Sequence, residues 1–502
     1  MSASGVAPGV DHGDGVRLGG RLLEYKYIVA IVYVTALFLD ILDTTIVNVA
    51  IFPLGERFHS DNAEWIVLGY TLSLAVWIPA SGWLGDKIGT KRTFLFALAA
   101  FTTGSLLCAT AQSMSQLIAF RVLQGVGGGM LTPVGVAMLF RAFPPIERAK
   151  AAMFIMVPSL AAPALGPVLG GLLITHASFR WIFIVNVPIG IAAFVFGLRF
   201  LREHREPSVG RFDVPGFLLS ATALALVVFA LSDGPRVGWS SPIVIGSALV
   251  GAVAAVALVK VELFVASPML DLRLLGNRMF RQCNIISGLS MGGFLGMTFV
   301  MPQYLQLLRG QSALTSGLTT FPQAFGIMLS SVIAGRLYKR IGPRRLMSFG
   351  LFGAAIVVTS FVRIDLGTSL WFIRITMFIR GFLMGFSFVP MQAASYATIP
   401  PASNGRASSI FSTQRQVGVS LGVAVVASIL VQHMSLIAPP STALEVARSL
   451  TGFHWAFGAA VLLTFAAAIA ALFVRDREAA GTMNPASLVA TAELSRESLE
   501  LA

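Results

Sequence analysis

The chain runs as apolar stretches separated by short polar joints, and most of its charged residues fall in the joints. Wound as helices, apolar stretches of about 20 residues match the hydrocarbon thickness of a bilayer. Such stretches start near Tyr27, Trp65, Phe94, Gln116, Ala151, Trp181, Val214, Pro242, Phe280, Thr315, Leu346, Trp371, Ala407 and Phe453. The pattern therefore predicts an all-α polytopic membrane protein with about fourteen spans. With both termini placed in the cytoplasm, roughly 26 of the 36 Lys and Arg residues lie in cytoplasmic joints, the bias of the positive-inside rule. Residues 1–27 and the Ala-, Ser- and Glu-rich tail 476–502 read as cytoplasmic extensions.

A repeat organises the spans. GWLGDKIGTKR, Gly82 to Arg92, returns 253 residues on as GRLYKRIGPRR, Gly335 to Arg345; GPVLGG, Gly166 to Gly171, is echoed 252 residues on by GVSLGV, Gly418 to Val423. Two separate stretches with nearly one period imply an internal duplication. Copies that face the same side of a membrane are an even number of spans apart. Eight spans separate them here, so two six-helix halves leave two extra helices between them. The division predicted is 28–205 for the first half, 206–275 for the extra helices and their loop, and 276–475 for the second half. Parallel repeats of this kind build secondary transporters with a substrate site near the midplane.

Composition agrees with the membrane reading: 56% of residues are hydrophobic, 12% are charged, and mean hydropathy is +0.79, outside the balance of soluble domains. The net charge of +13 does not point to nucleic acid, because the basic residues form short clusters between apolar runs. Cys108 and Cys283 both sit inside apolar runs, which leaves no disulfide framework or paired-thiol metal site. The six histidines are scattered, and no zinc motif, Walker loop or nucleophile elbow is present. We therefore expect no enzyme activity, cofactor or metal. The partners implied are small molecules, protons and the bilayer, acting on a monomer.

The exceptions to the apolar pattern carry the chemistry. Asp40 and Asp43, three residues apart, share one face of the first helix. Ionisable groups inside a membrane are costly and mark functional sites by default, though either Asp could also serve only to hydrogen-bond backbone or Asn48. Arg121, Arg380 and Arg415 fall inside later spans; each guanidinium needs carboxylate, carbonyl or water partners. Arg415 lies between Gln414 and Gln416, which suits either a substrate path or a polar clamp between halves. Tyr70, Trp77, Gln303 and Tyr304 are further candidates for a substrate path.

These motifs together resemble the fourteen-span drug:proton antiporters (the DHA2 type) of the major facilitator superfamily, over roughly residues 25–475. LDTTIVNVAIFP (Leu42 to Pro53) is similar to that subfamily's first-helix motif, with one extra residue before the proline. GWLGDKIGTKR resembles the superfamily's loop motif, with Thr90 at a usual arginine. RVLQGVGGG (Arg121 to Gly129) resembles the fourth-helix motif, and PALGPVLGG (Pro163 to Gly171) the fifth-helix antiporter motif; the second half has Val419 opposite Pro167. The resemblance implies a proton site at Asp43, which matches the motif where Asp40 does not, with Arg121 as its partner. It implies a gate at Gly82, Asp86, Gly89, Lys91 and Arg92, and a kinked, sealing fifth helix at Gly166, Pro167, Gly170 and Gly171. The function implied is proton-coupled export of lipophilic, often cationic drugs or dyes across the cell membrane. An exporter of one native metabolite, siderophore or lipid has the same motifs. A sensor without transport would not need Asp43 or the antiporter glycines.

Overall fold

The computed structural model describes residues 15–18, 21–60, 62–143, 162, 165–205, 211–265, 268–400, 404–434 and 440–483. The apolar stretches are helices: α1 (Tyr25–Phe58), α2 (Trp65–Ile88), α3 (Thr90–Thr110), α4 (Met114–Ala142), α5 (Leu165–His176), α6 (Arg180–Phe200), α7 (Val214–Val237), α8 (Pro242–Phe264), α9 (Arg278–Leu308), α10 (Ala313–Ile341), α11 (Pro343–Arg363), α12 (Leu370–Ser395), α13 (Asn404–His433) and α14 (Ala443–Leu472). Among the described residues thirteen of them are long and apolar enough to cross a membrane. The fifth, α5, is shorter. The start expected near Ala151, together with Pro163 and most of both tails, lies outside the described residues. The part of the first tail that is described, Gly15–Leu18 with Arg21–Glu24, forms a small antiparallel hairpin leading into α1, which hydropathy did not predict.

Local chemistry fixes the helix ends. The side chains of Ser113, Asp213 and Asn277 accept from the backbone N–H groups of Gln116, Gly216 and Phe280, and Thr442 with Glu445 forms a full capping box before α14. Within α10 the helix breaks at Phe321 and restarts at Pro322, where the missing proline donor is tolerated in a first turn.

The sequence repeat becomes a structural one at the joints α2–α3 and α10–α11. Gly89 turns the first at φ +114° and Gly342 the second at φ +86°, conformations open to glycine and strained for other residues. In each half a carboxylate from beyond the sixth helix then caps the next helix. Glu203 accepts from the N–H groups of Lys91 (3.0 Å) and Arg92 (3.3 Å), and Asp476 from that of Arg344 (2.8 Å). Negative charge is favourable at those helix N-termini. Packing repeats too, with α4 against α2 and α3, and α12 against α10 and α11.

The halves meet tightly at the end of the molecule away from the chain termini. Gln306 Nε2 of α9 donates to Val49 O of α1 (3.1 Å). A Cβ added to Gly171 of α5 would lie 2.5 Å from Ala313 O of α10, and Gly317 of α10 abuts Pro167 O in the same way. Gly171 and Gly317 thus let two backbones touch across the molecule. At the termini end, Gly82 and Gly335 have open space beside them, so the two loop motifs make no such approach there. Between the halves, α7 lies against both α2 and α13. It is held to the first half by Trp77–Phe217 (5.1 Å) and Trp65–Phe229 (6.4 Å), and by Arg236 to Glu64 (2.8 Å) and Asn62 (2.7 Å). Its partner α8 exposes Leu249, Val253 and Val256, as a lipid-facing helix does.

Candidate functional site

Asp43 points into the first half and is fully buried. Its Oδ2 accepts from Arg121 Nη1 of α4 at 2.5 Å; its Oδ1 accepts from Gln124 Nε2 at 2.9 Å and Asn186 Nδ2 of α6 at 3.0 Å. Three donors from two other helices therefore converge on one carboxylate. Arg121 also donates to Gln124 Oε1 (2.7 Å) and to Ile66 O of α2 (3.1 Å), and its guanidinium lies 4.0 Å from the centre of the Tyr70 ring. Behind Asn186, the hydroxyl of Ser105 accepts from Asn186 Nδ2 (3.1 Å) and donates to Phe183 O (2.9 Å). Two buried charges survive only with this degree of pairing and hydrogen bonding. The network joins α1, α2, α3, α4 and α6, so it fixes the first half as one body.

Asp40, one turn away, has a different setting. It is only partly buried, and its Oδ1 accepts a single side-chain hydrogen bond, from Tyr70 Oη at 2.5 Å. Gly128 of α4 leaves room for that pair: a Cβ there would fall 2.6 Å from Tyr70 Oη and 3.0 Å from Asp40 Oδ1. From the second half, Arg415 of α13 lies within electrostatic range of Asp40 and Tyr33. Helix register explains the approach. Gln414 packs on Gly288 of α9, and Gln416 Nε2 lies 3.4 Å from Thr71 O of α2, so Arg415, between them, projects where α2 and α9 meet α1. Tyr33 Oη is buried there without a hydrogen-bond partner.

Asp40, Asp43, Arg121, Tyr70 and Arg415 are thus brought together, and other candidates are not. Trp77 packs in the α2–α7 seam. Tyr304 donates to Asp365 O (2.6 Å) in an aromatic cluster with Phe453 and Phe457 at the far end, next to the buried Gln303. Arg380 is buried in the second half, bonded to Gln323 and to Phe294 O and lying 4.6 Å from the Phe294 ring centre. In the loop motif, Asp86 reaches Arg141 of α4 at 3.5 Å with both side chains part-exposed, a pairing worth little by itself. Lys91 Nζ donates to Leu198 O (2.9 Å), and Arg92 lies 3.6 Å from Glu203. Asn48 bonds Thr44 O (3.2 Å) rather than either Asp. Sequence reading missed Gln124, Asn186, Ser105 and Tyr33. Gln124 was within reach, one helical turn beyond Arg121, and Asn186 stands as a lone amide in an apolar run.

Residues 33–423 match the model of the Major Facilitator Superfamily. The chain belongs to that superfamily. Among its relatives, the multidrug resistance protein B homolog of Mycobacterium tuberculosis is 36% identical over 409 residues, spanning 79% of this chain and 75% of that one. The putative multidrug resistance protein MdtD of Salmonella typhimurium is 34% identical over 405 residues, 78% of this chain and 84% of that one. The names of these relatives agree with the DHA2-type resemblance carried by the motifs. Solved major facilitator structures share the fold. A D-xylose-proton symporter superposes with TM-score 0.62 at 16% identity, over 90% of this chain and 99% of that one. A bacterial homolog of the lysosomal transporter Spinster, inward-facing and unoccupied, gives TM-score 0.62 at 15% identity over 91% and 98%. This major facilitator chain is a multi-pass membrane transporter.

Proposed function

We propose that this transporter is a proton-coupled antiporter that exports lipophilic cations by alternating access, with both termini in the cytoplasm. The observation that carries the reading is the contrast between the two acids. Asp43 is committed to Arg121, Gln124 and Asn186, and a proton there would have to displace a buried guanidinium. Asp40 is partly exposed and has one hydroxyl donor. Asp40 is then the exchanging group, and Asp43 with Arg121 holds the helices that present it. With the far end closed by α5 against α10, we place a substrate crevice between the halves that opens toward the termini, the side from which an exported compound enters. After the halves rock, a proton from outside replaces the cation on Asp40 and returns with it. Exchange of one proton for one monovalent cation moves no net charge, whereas a neutral substrate would add a contribution of about 2.3 kcal/mol per 100 mV.

The test is dye efflux from cells or inverted vesicles that carry the protein. Efflux of a lipophilic cation such as ethidium is expected to stop when the proton gradient is dissipated and to be lost in Asp40→Asn. Undiminished gradient-driven efflux by Asp40→Asn would remove the acid from the mechanism. A panel of chemically unrelated compounds separates broad drug export from export of one native metabolite.

A further inference from the structure

Arg121 is neutralised by Asp43, but the cation across the crevice has no carboxylate of its own. Arg415 forms no ion pair among the described residues, and the groups within electrostatic range of it are the Asp40 carboxyl and the neutral phenols of Tyr33 and Tyr396. Seen from Asp40, the polar and charged neighbours are Tyr70 on α2, Asp43 on its own helix, Arg121 on α4 and Arg415 on α13. Only the last belongs to the other half and is free of a competing acid. A guanidinium cannot shed its proton and presents five donors, so it seeks an acceptor wherever the crevice is dry. Gln416, beside Arg415, reaches Thr71 O of α2, next to the Tyr70 that bonds Asp40, and the buried Tyr33 hydroxyl of α1 has no hydrogen-bond partner in the same region.

We infer that Arg415 is a tethered counter-cation for Asp40. This rests on the reading of Asp40 as the exchanging acid. When Asp40 is ionised and the crevice is empty, Arg415 swings onto it and bridges α13 to α1. A proton or a cationic substrate must displace Arg415 to bind. Because the competitor is attached to the protein, its effective concentration is set by geometry and is not diluted. The bridge ties the two halves together in the unloaded state and is released by either load. An empty carrier is thereby prevented from changing face, the condition for tight exchange. In the present conformation the two groups are within electrostatic range without a hydrogen bond, as expected before closure. The same bridge disfavours substrates that carry an anionic group close to their cation.

The experiment uses the purified full-length protein with ethidium as the probe, and proteoliposomes with an internal pH dye. Arg415→Gln should bind ethidium about tenfold more tightly, equivalent to about 1.4 kcal/mol, and should pass protons without substrate. Arg415→Lys should restore wild-type behaviour. Unchanged or weaker binding by folded Arg415→Gln, with no substrate-free proton flux, overturns the proposal. If that variant fails to fold, Arg415→Met, which keeps the stem volume without the charge, is read by the same criteria. Asp40→Asn distinguishes the two levels. If it binds ethidium as the wild type does, the exchanging-acid reading fails; if it loses binding while Arg415→Gln is unchanged, the failure is confined to Arg415.

Discussion

Replacing Asp43 by Asn takes away the carboxylate that meets Arg121 and leaves the guanidinium nearly without exposure, bonded to Gln124 and Ile66 O. The new amide also turns an N–H group toward one of the three donors that converge on position 43. Breaking a buried pair by removing one partner costs about 3–5 kcal/mol. The same substitution at Asp40 leaves Tyr70 Oη an amide oxygen to donate to, so the loss is about 1 kcal/mol, that of one weakened hydrogen bond. The double variant Asp43→Asn/Arg121→Gln removes both charges and should recover about 2 kcal/mol or more of the single variant's loss. Denaturation of the purified proteins in mixed micelles, followed by tryptophan fluorescence at one pH, measures all three. Equal stability for Asp43→Asn and Asp40→Asn, or a double variant as unstable as the sum of its parts, would refute the division of labour between the two acids.

Two further outcomes follow from the joints and seams. Gly171→Leu should prevent α5 from seating against Ala313 and Gly317 and so abolish transport, while the protein still inserts and binds ethidium; normal efflux by this variant would show that the contact is not a seal. Glu64, just outside the span that begins at Trp65, is buried, and burial raises its pKa above the ordinary 4.5 despite the opposing charge of Arg236. An acid with a raised folded pKa penalises folding where it is ionised, above that pKa, and the penalty is relieved as pH falls through it. Melting temperature should therefore rise on acidification from neutral pH more steeply in the wild type than in Glu64→Gln, and parallel curves would contradict this.

The legible parts of the molecule were those where the sequence departs from an apolar background. Asp40, Asp43, Arg121 and Arg415 stood out because a charge in a membrane helix is expensive and rare, and the repeat at Gly82 and Gly335 pointed to the matching glycine turns of the α2–α3 and α10–α11 joints. What stayed hidden had weak sequence signals or distant partners. A neutral amide such as Asn186 or Gln124 costs far less than a charge in a helix, so its position says little until the helices are packed. Glu203 caps α3 from more than a hundred residues away, and nothing local to it announces the role. The different settings of Asp40 and Asp43 could not be read from their spacing either, because the same helix face meets donors of α4 and α6 at one turn and only the Tyr70 hydroxyl of α2 at the next.

The placement of α7 has a mechanical consequence. Aromatic contacts along its length and an ionic clasp near one end fasten it to α2 and the adjoining loop, while it also packs closely on α13. Its neighbour on the other side, α13, carries Arg415 and belongs to the opposite body. Under the proposed rocking of the halves one side of α7 must slide, against α2 or against α13, and side chains on that boundary act as a bearing surface whose smoothness governs turnover. A bulky residue added on that boundary should slow cycling without altering what is bound.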